Sequence, residues 1–337
     1  MPGGARSGPG GAGEAWSSRT RQYGPMGERR GVVVRVARDD EDLDAMNVGN
    51  SSWMGGAMMR ELFAASGDAP NAALIAEIDG EPVGYGHFVA MGVFDGHRAP
   101  ATIFVPPSQR GRGAGNALWA AVLEGCTPDR VRGVMLSLDA DDMHSRDIAL
   151  AHGLRLGGLH IESELDLAAM DLADMEQRAT SPSGLTVRPL APDTDEETWH
   201  DFAALHERMS NDTPDRAAGS EPASYAVIRA FLAEPWQVMG AWDGLELVGF
   251  TAVSIRDARP EARVLNTHLT GVLPDFRGRG IATALKAAHA VVLRRAGWRR
   301  IRTQNMDGNI PILAANETLG FRRARGLQDL IYDHPPR

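Results

Sequence analysis

Val272-Leu273-Pro274-Asp275-Phe276-Arg277-Gly278-Arg279-Gly280-Ile281-Ala282 reads as an extended V-x-P segment that passes through a glycine loop into a helix. It occurs twice. Its first copy is Val105-Pro106-Pro107-Ser108-Gln109-Arg110-Gly111-Arg112-Gly113-Ala114-Gly115, offset by 167 residues. Glycines at these positions permit turn geometries closed to other residues and let the backbone approach an anion closely. The unpaired amides at a helix start, with the positive end of the helix dipole, form a cradle for a diphosphate. The small Ala282 and Gly115 leave room beside it, and Arg277 and Arg279 are placed to add charge-assisted contacts. A Walker loop would need G-K-[ST] at its end, and a dinucleotide fingerprint would need G-x-G-x-x-G in the first strand-to-helix turn; neither copy complies. A tight turn without a ligand is the alternative for one copy alone. Two copies in matching context disfavour it.

Other landmarks repeat in the same order. His152-Gly153-Leu154 returns as Leu319-Gly320-Phe321, again at an offset of 167. The hairpin Asp79-Gly80 returns as Asp243-Gly244, and its closing glycine, Gly84, as Gly249, at an offset of 165. The chain is therefore an internal duplication. Residues 1–29 are expected to be a disordered Gly/Arg/Ser/Pro tail. Residues 30–168 and 184–337 form the two halves, and residues 169–183 lose periodicity and read as a linker. Ile281, Leu285, Ala288 and Val292 mark a helix at 3.6-residue spacing, while Ile301-Thr303-Asn305 and Val134-Leu136-Leu138 alternate as strands do. The expectation is an α/β protein of mixed sheets with flanking helices.

Composition narrows the function classes. The 337 residues carry a net charge of −9, which disfavours nucleic acid as a partner, because phosphate backbones select basic surfaces. The same charge would attract cationic amines through its long-range field. No apolar run approaches the roughly 20 residues of a membrane helix, and residues 1–30 lack the apolar region of a signal peptide. A cytoplasmic location without membrane contact is expected, as a monomer or homodimer. One cysteine, Cys126, leaves no intramolecular disulfide and no cysteine-rich metal site, and no metal is expected.

The two loops with their flanks resemble the acetyl-CoA motif V-x-P-x-x-R-G-x-G-x-A/G of the GNAT superfamily of acyl-CoA-dependent N-acyltransferases. The second half also carries Thr303-x-Asn305 and Asn309-x-Pro311-Ile312-Leu313-x-x-Asn316-Glu317-x-Leu319-Gly320-Phe321, similar to that family's second motif. In the first half this motif is eroded, with Asp142 in the place of Asn309. The resemblance implies two GNAT-like domains and acetyl transfer from acetyl-CoA to a primary amine, with a small-molecule amine as the expected partner. By position, Val272 would pair with pantetheine or polarise the thioester carbonyl. The amides of Arg277, Gly278, Arg279, Gly280, Ile281 and Ala282 would hold the pyrophosphate, and Asn309 the pantetheine arm. Val105, Arg110, Gly111, Arg112, Gly113, Ala114 and Gly115 would match them in the first half. A mycothiol-synthase-like tandem acetyltransferase is the alternative within enzymes, though no residue pattern here points to its cysteinyl substrate, and a non-catalytic acyl-CoA-binding regulator or scaffold is the alternative from another class.

The catalytic groups depart from the family pattern. Many members place a tyrosine as general acid just before the L-G-F helix end; this chain has Asn316 there, and Leu150 in the first half. Asn316 can hydrogen-bond sulfur or cofactor but cannot donate a proton usefully near neutral pH. For the general base, His268 is the first candidate, on a strand where Asn266, His268 and Thr270 share a face and with an ordinary pKa of about 6.5. Asp212 is the candidate for a substrate ammonium. In the first half, His87 and Glu61 are site candidates by position, while Trp53, Met54, Met58 and Met59 are cleft-wall candidates of a kind that, at helical spacing, is more often core.

Overall fold

The computed structural model describes residues 31–37, 63, 71–89, 98–180, 184–213, 223–255 and 262–335. The expected tail, Trp53, Met54, Met58, Met59 and Glu61 lie outside the described residues. The first half runs β1 (Val32–Val36), β2 (Asn71–Ile78), β3 (Glu81–Val89), β4 (Arg98–Phe104), α1 (Ala114–Gly125), β5 (Gly133–Asp139), α2 (Met143–Ala151) and β6 (Arg155–Asp166). A helix, α3 (Leu172–Ala179), follows. The second half repeats the order with β7 (Thr186–Pro189), α4 (Glu196–Asn211), α5 (Tyr225–Phe231), β8 (Val238–Asp243), β9 (Glu246–Ser254) and β10 (Val264–Val272). It ends with α6 (Ile281–Arg295), β11 (Arg300–Met306), α7 (Ile310–Thr318) and β12 (Arg322–Asp333). The mixed α/β class is as expected.

The stretch expected to be a linker is largely helical. Asp171 caps α3 by accepting from the Ala173 and Asp174 amides, Asp174 pairs with Arg178 one turn on, and Met175 is buried among Leu165, Val291 and Phe321. Its polarity hid its few anchoring residues, Met170, Leu172, Met175 and Ala179, from a periodicity reading, although the cap and the i,i+4 pair are themselves helix signals.

All twelve strands join one sheet in the order β1-β2-β3-β4-β5-β12-β6-β11-β10-β9-β8-β7. The last strand of each half lies against the fifth strand of the other: β12 pairs with β5, and β6 with β11. The two exchanged strands pair with each other at the centre. The sheet therefore runs through the joint expected between the halves. Equivalent residues face equivalent partners across this centre. Glu162 on β6 accepts from Gln304 on β11 at 3.0 Å, and Asp329 on β12 accepts from Ser137 on β5 at 2.6 Å, both pairs related by the 167-residue offset. Each acid also binds a basic group on the neighbouring exchanged strand, Glu162 to Arg325 and Asp329 to His160. Glu162 and Asp329 are 4% and 8% exposed, and a buried carboxylate with hydrogen-bonded partners escapes the desolvation cost of an unpaired one. At the end of β12, Asp333 takes Arg98 at 2.6 Å and Arg155 at 3.0 Å. Burial alone would raise its pKa; the hydrogen bonds from Arg155 and Arg98 outweigh this and hold it below the usual carboxylate range.

The cores lie against the helices that follow the glycine loops. Leu118, Ala121 and Val122 of α1 meet Leu74, Val83 and Phe88, and Ile281 and Leu285 of α6 meet Val248, Phe250 and Val272. Cys126 is fully buried, and burial pushes its thiol up to about 12, so it is a packing residue. Trp242 lies in the core and Trp236 stacks on Trp298 at 5.6 Å.

Candidate active site

Both glycine loops open where two parallel strands part. β4 and β5 pair only at Arg98–Gly133, Ala99–Val134 and Pro100–Met135. β10 and β11 pair only at Val264–Arg300, Leu265–Ile301 and Asn266–Arg302. Beyond these pairs the ladder between the two strands stops and each fork opens. The loops then turn identically. Gly111 and Gly278 each have φ of 75°, and Gly113 and Gly280, the residues that begin α1 and α6, have φ of 96° and 75°. These values lie in the left-handed region, which only glycine enters without cost. A side chain at Gly111 or Gly278 would meet nothing within 4 Å, so the backbone there borders open space.

The arginines of the loops are turned inward. Arg110 Nε donates to the Val105 carbonyl at 3.1 Å, and Arg277 Nε to the Val272 carbonyl at 2.9 Å. Parting from the neighbouring strand leaves those carbonyls without a ladder partner on that side, and the guanidinium supplies one. Arg277 also pairs with Asp212, which closes α4. Arg279 donates to the Asp275 carbonyl at 2.7 Å, and Arg112 to Gln109. Backbone amides and the helix dipole are what the loops present to a ligand, and the arginines brace them. Asp212 is placed as a loop brace, in contact with Arg277.

The second fork gathers further polar groups. Between Thr267 and Leu269 the pairing of β10 with β9 slips by one residue, which makes His268 the extra residue of a bulge. The corresponding β3–β4 ladder, Tyr85–Phe104 to Phe88–Ala101, has no slip. A bulge bends its strand and re-aims a side chain. Here it delivers His268 to α4, where its Nε2 lies 3.0 Å from Nε2 of His206. His206 is 5% exposed and packs against Phe202 and Phe250. Sequence reading missed it. A histidine at the buried face of an amphipathic helix, four residues after Phe202, is a weak signal that only its partner makes meaningful. On α7, Asn316 is buried; its Nδ2 donates to Asn305 Oδ1 at 3.0 Å, and its own Oδ1 has no partner. The 167-residue offset puts Ala149, not Leu150, at the equivalent place in the first half. Asn309 begins α7 without a side-chain cap bond, whereas Asp142 caps α2 by accepting from the Ser145 amide. Hydrogen bonding from Ser145, its side chain first and its amide second, holds Asp142 below the usual carboxylate range.

The first fork opens into a cleft of about 1380 Å³ that reaches from Gly111, Gly113 and Gly115 past Ser137 and Asp139 to Gln304 and Arg325. Ordinary ligand pockets occupy roughly 300–1,000 Å³, so the space suits a long ligand. Its far wall belongs to β11 and β12, supplied by strand exchange from the second half. His87 lies inside β3, 4% exposed, and burial pushes its pKa down to about 4. It is a neutral core residue at pH 7. Among the described residues no three His, Cys, Asp or Glu side chains gather as a metal site, and no helix is long and apolar enough to cross a membrane.

With this geometry in view, comparison with known proteins identifies the class. The acetyltransferase (GNAT) family model matches residues 47–154 and 199–321. The chain belongs to the GNAT acetyltransferase family. It is a tandem member, and its acyl donor is acetyl-CoA. A mycothiol acetyltransferase of Geodermatophilus obscurus is 31% identical over 258 residues, covering 74% of this chain and 78% of the relative. One from Actinosynnema mirum is 28% identical over 262 residues, covering 76% and 82%. Among solved structures, a tandem GNAT protein from the clavulanic acid biosynthesis pathway superposes with a TM-score of 0.69 at 23% identity, covering 91% of this chain and 99% of that one.

One buried group near the site has a measurable pH signature. Lys286, the only lysine, is buried in α6 with its Nζ unpartnered and 5.1 Å from the Phe321 ring centre. Burial pushes its pKa down to about 8, against an unfolded value of about 10.4. The unfolded state then binds more protons between those values, so stability rises as pH climbs from about 8 towards 10. Lys286→Met is expected to raise the melting temperature at pH 7 and to abolish that rise, measured by melts across pH 7–10. A mutant that keeps the wild-type pH dependence would remove Lys286 as its source.

Proposed function

We propose that this protein moves the acetyl group of acetyl-CoA to the primary amine of a small polar molecule, with the chemistry in the second fork. The bulge that delivers His268 beside His206, absent from the equivalent first-half ladder, carries this reading. Acetyl-CoA supplies an activated thioester. The amides of Arg277–Ala282, held by the left-handed Gly278 and Gly280, would bind its pyrophosphate. Val272 and the unpaired edge of β10 would line its pantetheine, and Asn309 and Asn316 lie on the helix that closes the fork. An ammonium must lose a proton before it attacks, and on this reading His268 takes it. No described residue replaces the missing tyrosine; a leaving thiolate of pKa about 8.5 departs without one.

The first loop, Val105 and Arg110–Gly115, is a second acetyl-CoA cradle on this reading, since its backbone geometry matches the other. Without a bulge, and with Ala149 and Asp142 at the places of Asn316 and Asn309, it would bind rather than turn over. The names of the relatives make the amine acetylated in mycothiol formation the first acceptor to test, and the net negative charge suits any cationic amine. The test is a thiol-release assay with acetyl-CoA and a panel that includes that amine, amino sugars and polyamines. Release with one class is expected. Acetyl-CoA binding by calorimetry with no release for any amine would overturn the reading in favour of an acyl-CoA-binding regulator.

A further inference from the structure

We infer that the first fork binds an acyl-CoA with a medium-length apolar acyl chain in preference to acetyl-CoA; this rests on the reading of the first loop as a coenzyme A cradle. The observation behind it is an exchange of polarity between two forks of like backbone. Ile103, Trp119, Leu136, Leu138 and Leu330 line the first cleft. At the 167-residue offset their places are taken in the second half by Thr270, Lys286, Thr303, Asn305 and Ser163. Each of these five apolar positions is polar in the other copy. Ala149 against Asn316 repeats the exchange on the helix that closes each fork.

The apolar side chains gather on one face of the sheet. Ile103, Trp119 and Leu136 pack on the core beneath α1. Leu138 shares a face with Leu136 by the alternation of β5, and Leu330 lies opposite Leu136 across the β5–β12 ladder. On α2, Ile148 lines the same cleft and is 47% exposed, where the second half has Ala315. Apolar surface left facing water in a cleft marks a place that a ligand covers. The polar lining is otherwise engaged. Ser137 and Asp139 point to the opposite face, where Ser137 donates to Asp329 and Asp139 pairs with Arg325. Nearer the loop, Asp142 caps α2, and His152 Nε2 lies 3.1 Å from Asn116 Oδ1.

The cradle sets the direction of the ligand. With a diphosphate on the amides of Gly111–Gly115, the pantetheine arm would run along β4 towards the last ladder pair, Pro100–Met135. Leu136 and Leu138 stand just past that pair, so a chain continuing from the thioester meets them. In the second fork the equivalent residues are tied to one another, with Thr303 and Asn316 both donating to Asn305 Oδ1. A long chain laid there would cover polar groups that it cannot hydrogen-bond, which is unfavourable. The same chain in the first fork covers side chains of its own kind. Each methylene buried among them is worth roughly four-fold in affinity at most.

The experiment is calorimetry of the full-length Gly280→Glu protein, in which the second cradle is blocked, with acetyl-, butyryl-, hexanoyl- and octanoyl-CoA. Affinity should rise about two- to four-fold for each added methylene as far as hexanoyl-CoA, which then binds at least about ten-fold more tightly than acetyl-CoA. Adding Gly113→Glu should abolish binding of all four. Leu138→Asn gives the first fork the residue of the second. It should erase the preference and leave acetyl-CoA within about three-fold, because the new carboxamide gains no partner from a methylene chain. Leu136→Thr makes the same exchange two residues away and serves where Leu138→Asn fails to fold, as judged by melts. Equal affinity for all four acyl-CoAs, or a preference that neither variant moves, overturns the inference and leaves the cradle. Chain-dependent binding that survives Gly113→Glu places the chain elsewhere and also overturns it. Binding of no acyl-CoA overturns the cradle reading and the inference together.

Discussion

Gly280→Glu is expected to abolish measurable turnover, lowering kcat/KM for acetyl-CoA by at least about a thousand-fold, or roughly 4 kcal/mol of transition-state stabilisation. Gly280 is the residue that begins α6, at φ 75°. A side chain there costs about 1–2 kcal/mol in the left-handed region. The larger part of the loss comes from what the side chain brings: a carboxylate where free amides and the positive end of α6 await a diphosphate. Gly113→Glu sets the same chemistry at φ 96° at the start of α1, so its backbone cost is equal. Its effect on turnover should stay within about ten-fold, because the first fork lacks the bulged histidine. Steady-state kinetics with a melt of each variant separate the two contributions. Equal losses of turnover would show that both forks are catalytic or that each depends on the other's occupancy.

The second large effect concerns folding. Residues 30–168 alone and 184–337 alone are not expected to yield folded monomers, whereas the two segments expressed together should associate. The central order β5-β12-β6-β11 gives each half one strand that belongs to the other. Without β12, β5 loses the ladder Leu327–Asp139 to Asp333–Gly133, Arg98 loses Asp333, and Trp119 of α1 loses its edge-on contact with Tyr332 at 5.4 Å. Removing one partner of a fully buried ion pair typically costs about 3–5 kcal/mol; Asp333 is 30% exposed, so its loss costs less, but together with the lost ladder and ring contact it comes within reach of a domain's whole stability of about 5–15 kcal/mol. Circular dichroism and size-exclusion chromatography of the separate and joined segments decide the matter. A monomeric, cooperatively melting 184–337 segment would show that β12 can fold back onto β11 and that the exchange is optional.

What the sequence revealed and what it hid follow from range. The glycine loops were legible because left-handed backbone and helix starts are local demands that only a few residues satisfy. The duplication was legible because its landmarks, the hairpin, the glycine loop and the helix end, kept their order. Strand exchange was not, since β6 and β12 present the same alternation to either neighbour, and nothing in a strand's own pattern names its partner. The bulge at His268 is one residue within an offset that grows from 164 at Gly80–Gly244 to 165 at Gly84–Gly249 and 167 at the loops, but offset changes do not say where a residue is inserted. His206 and His268 lie 62 residues apart, on a helix and a strand. Their meeting is a product of packing alone.

The exchanged centre of the sheet also sets a clock on biosynthesis. β5 is complete at Asp139, yet its neighbour β12 ends only at Asp333. At roughly 5–20 residues per second, the ribosome leaves the edge of β5 waiting for about 10–40 s. During that interval the nascent chain carries a half-built sheet with an unpaired edge, the kind of surface that invites wrong pairing. Its first cleft cannot close until β12 emerges.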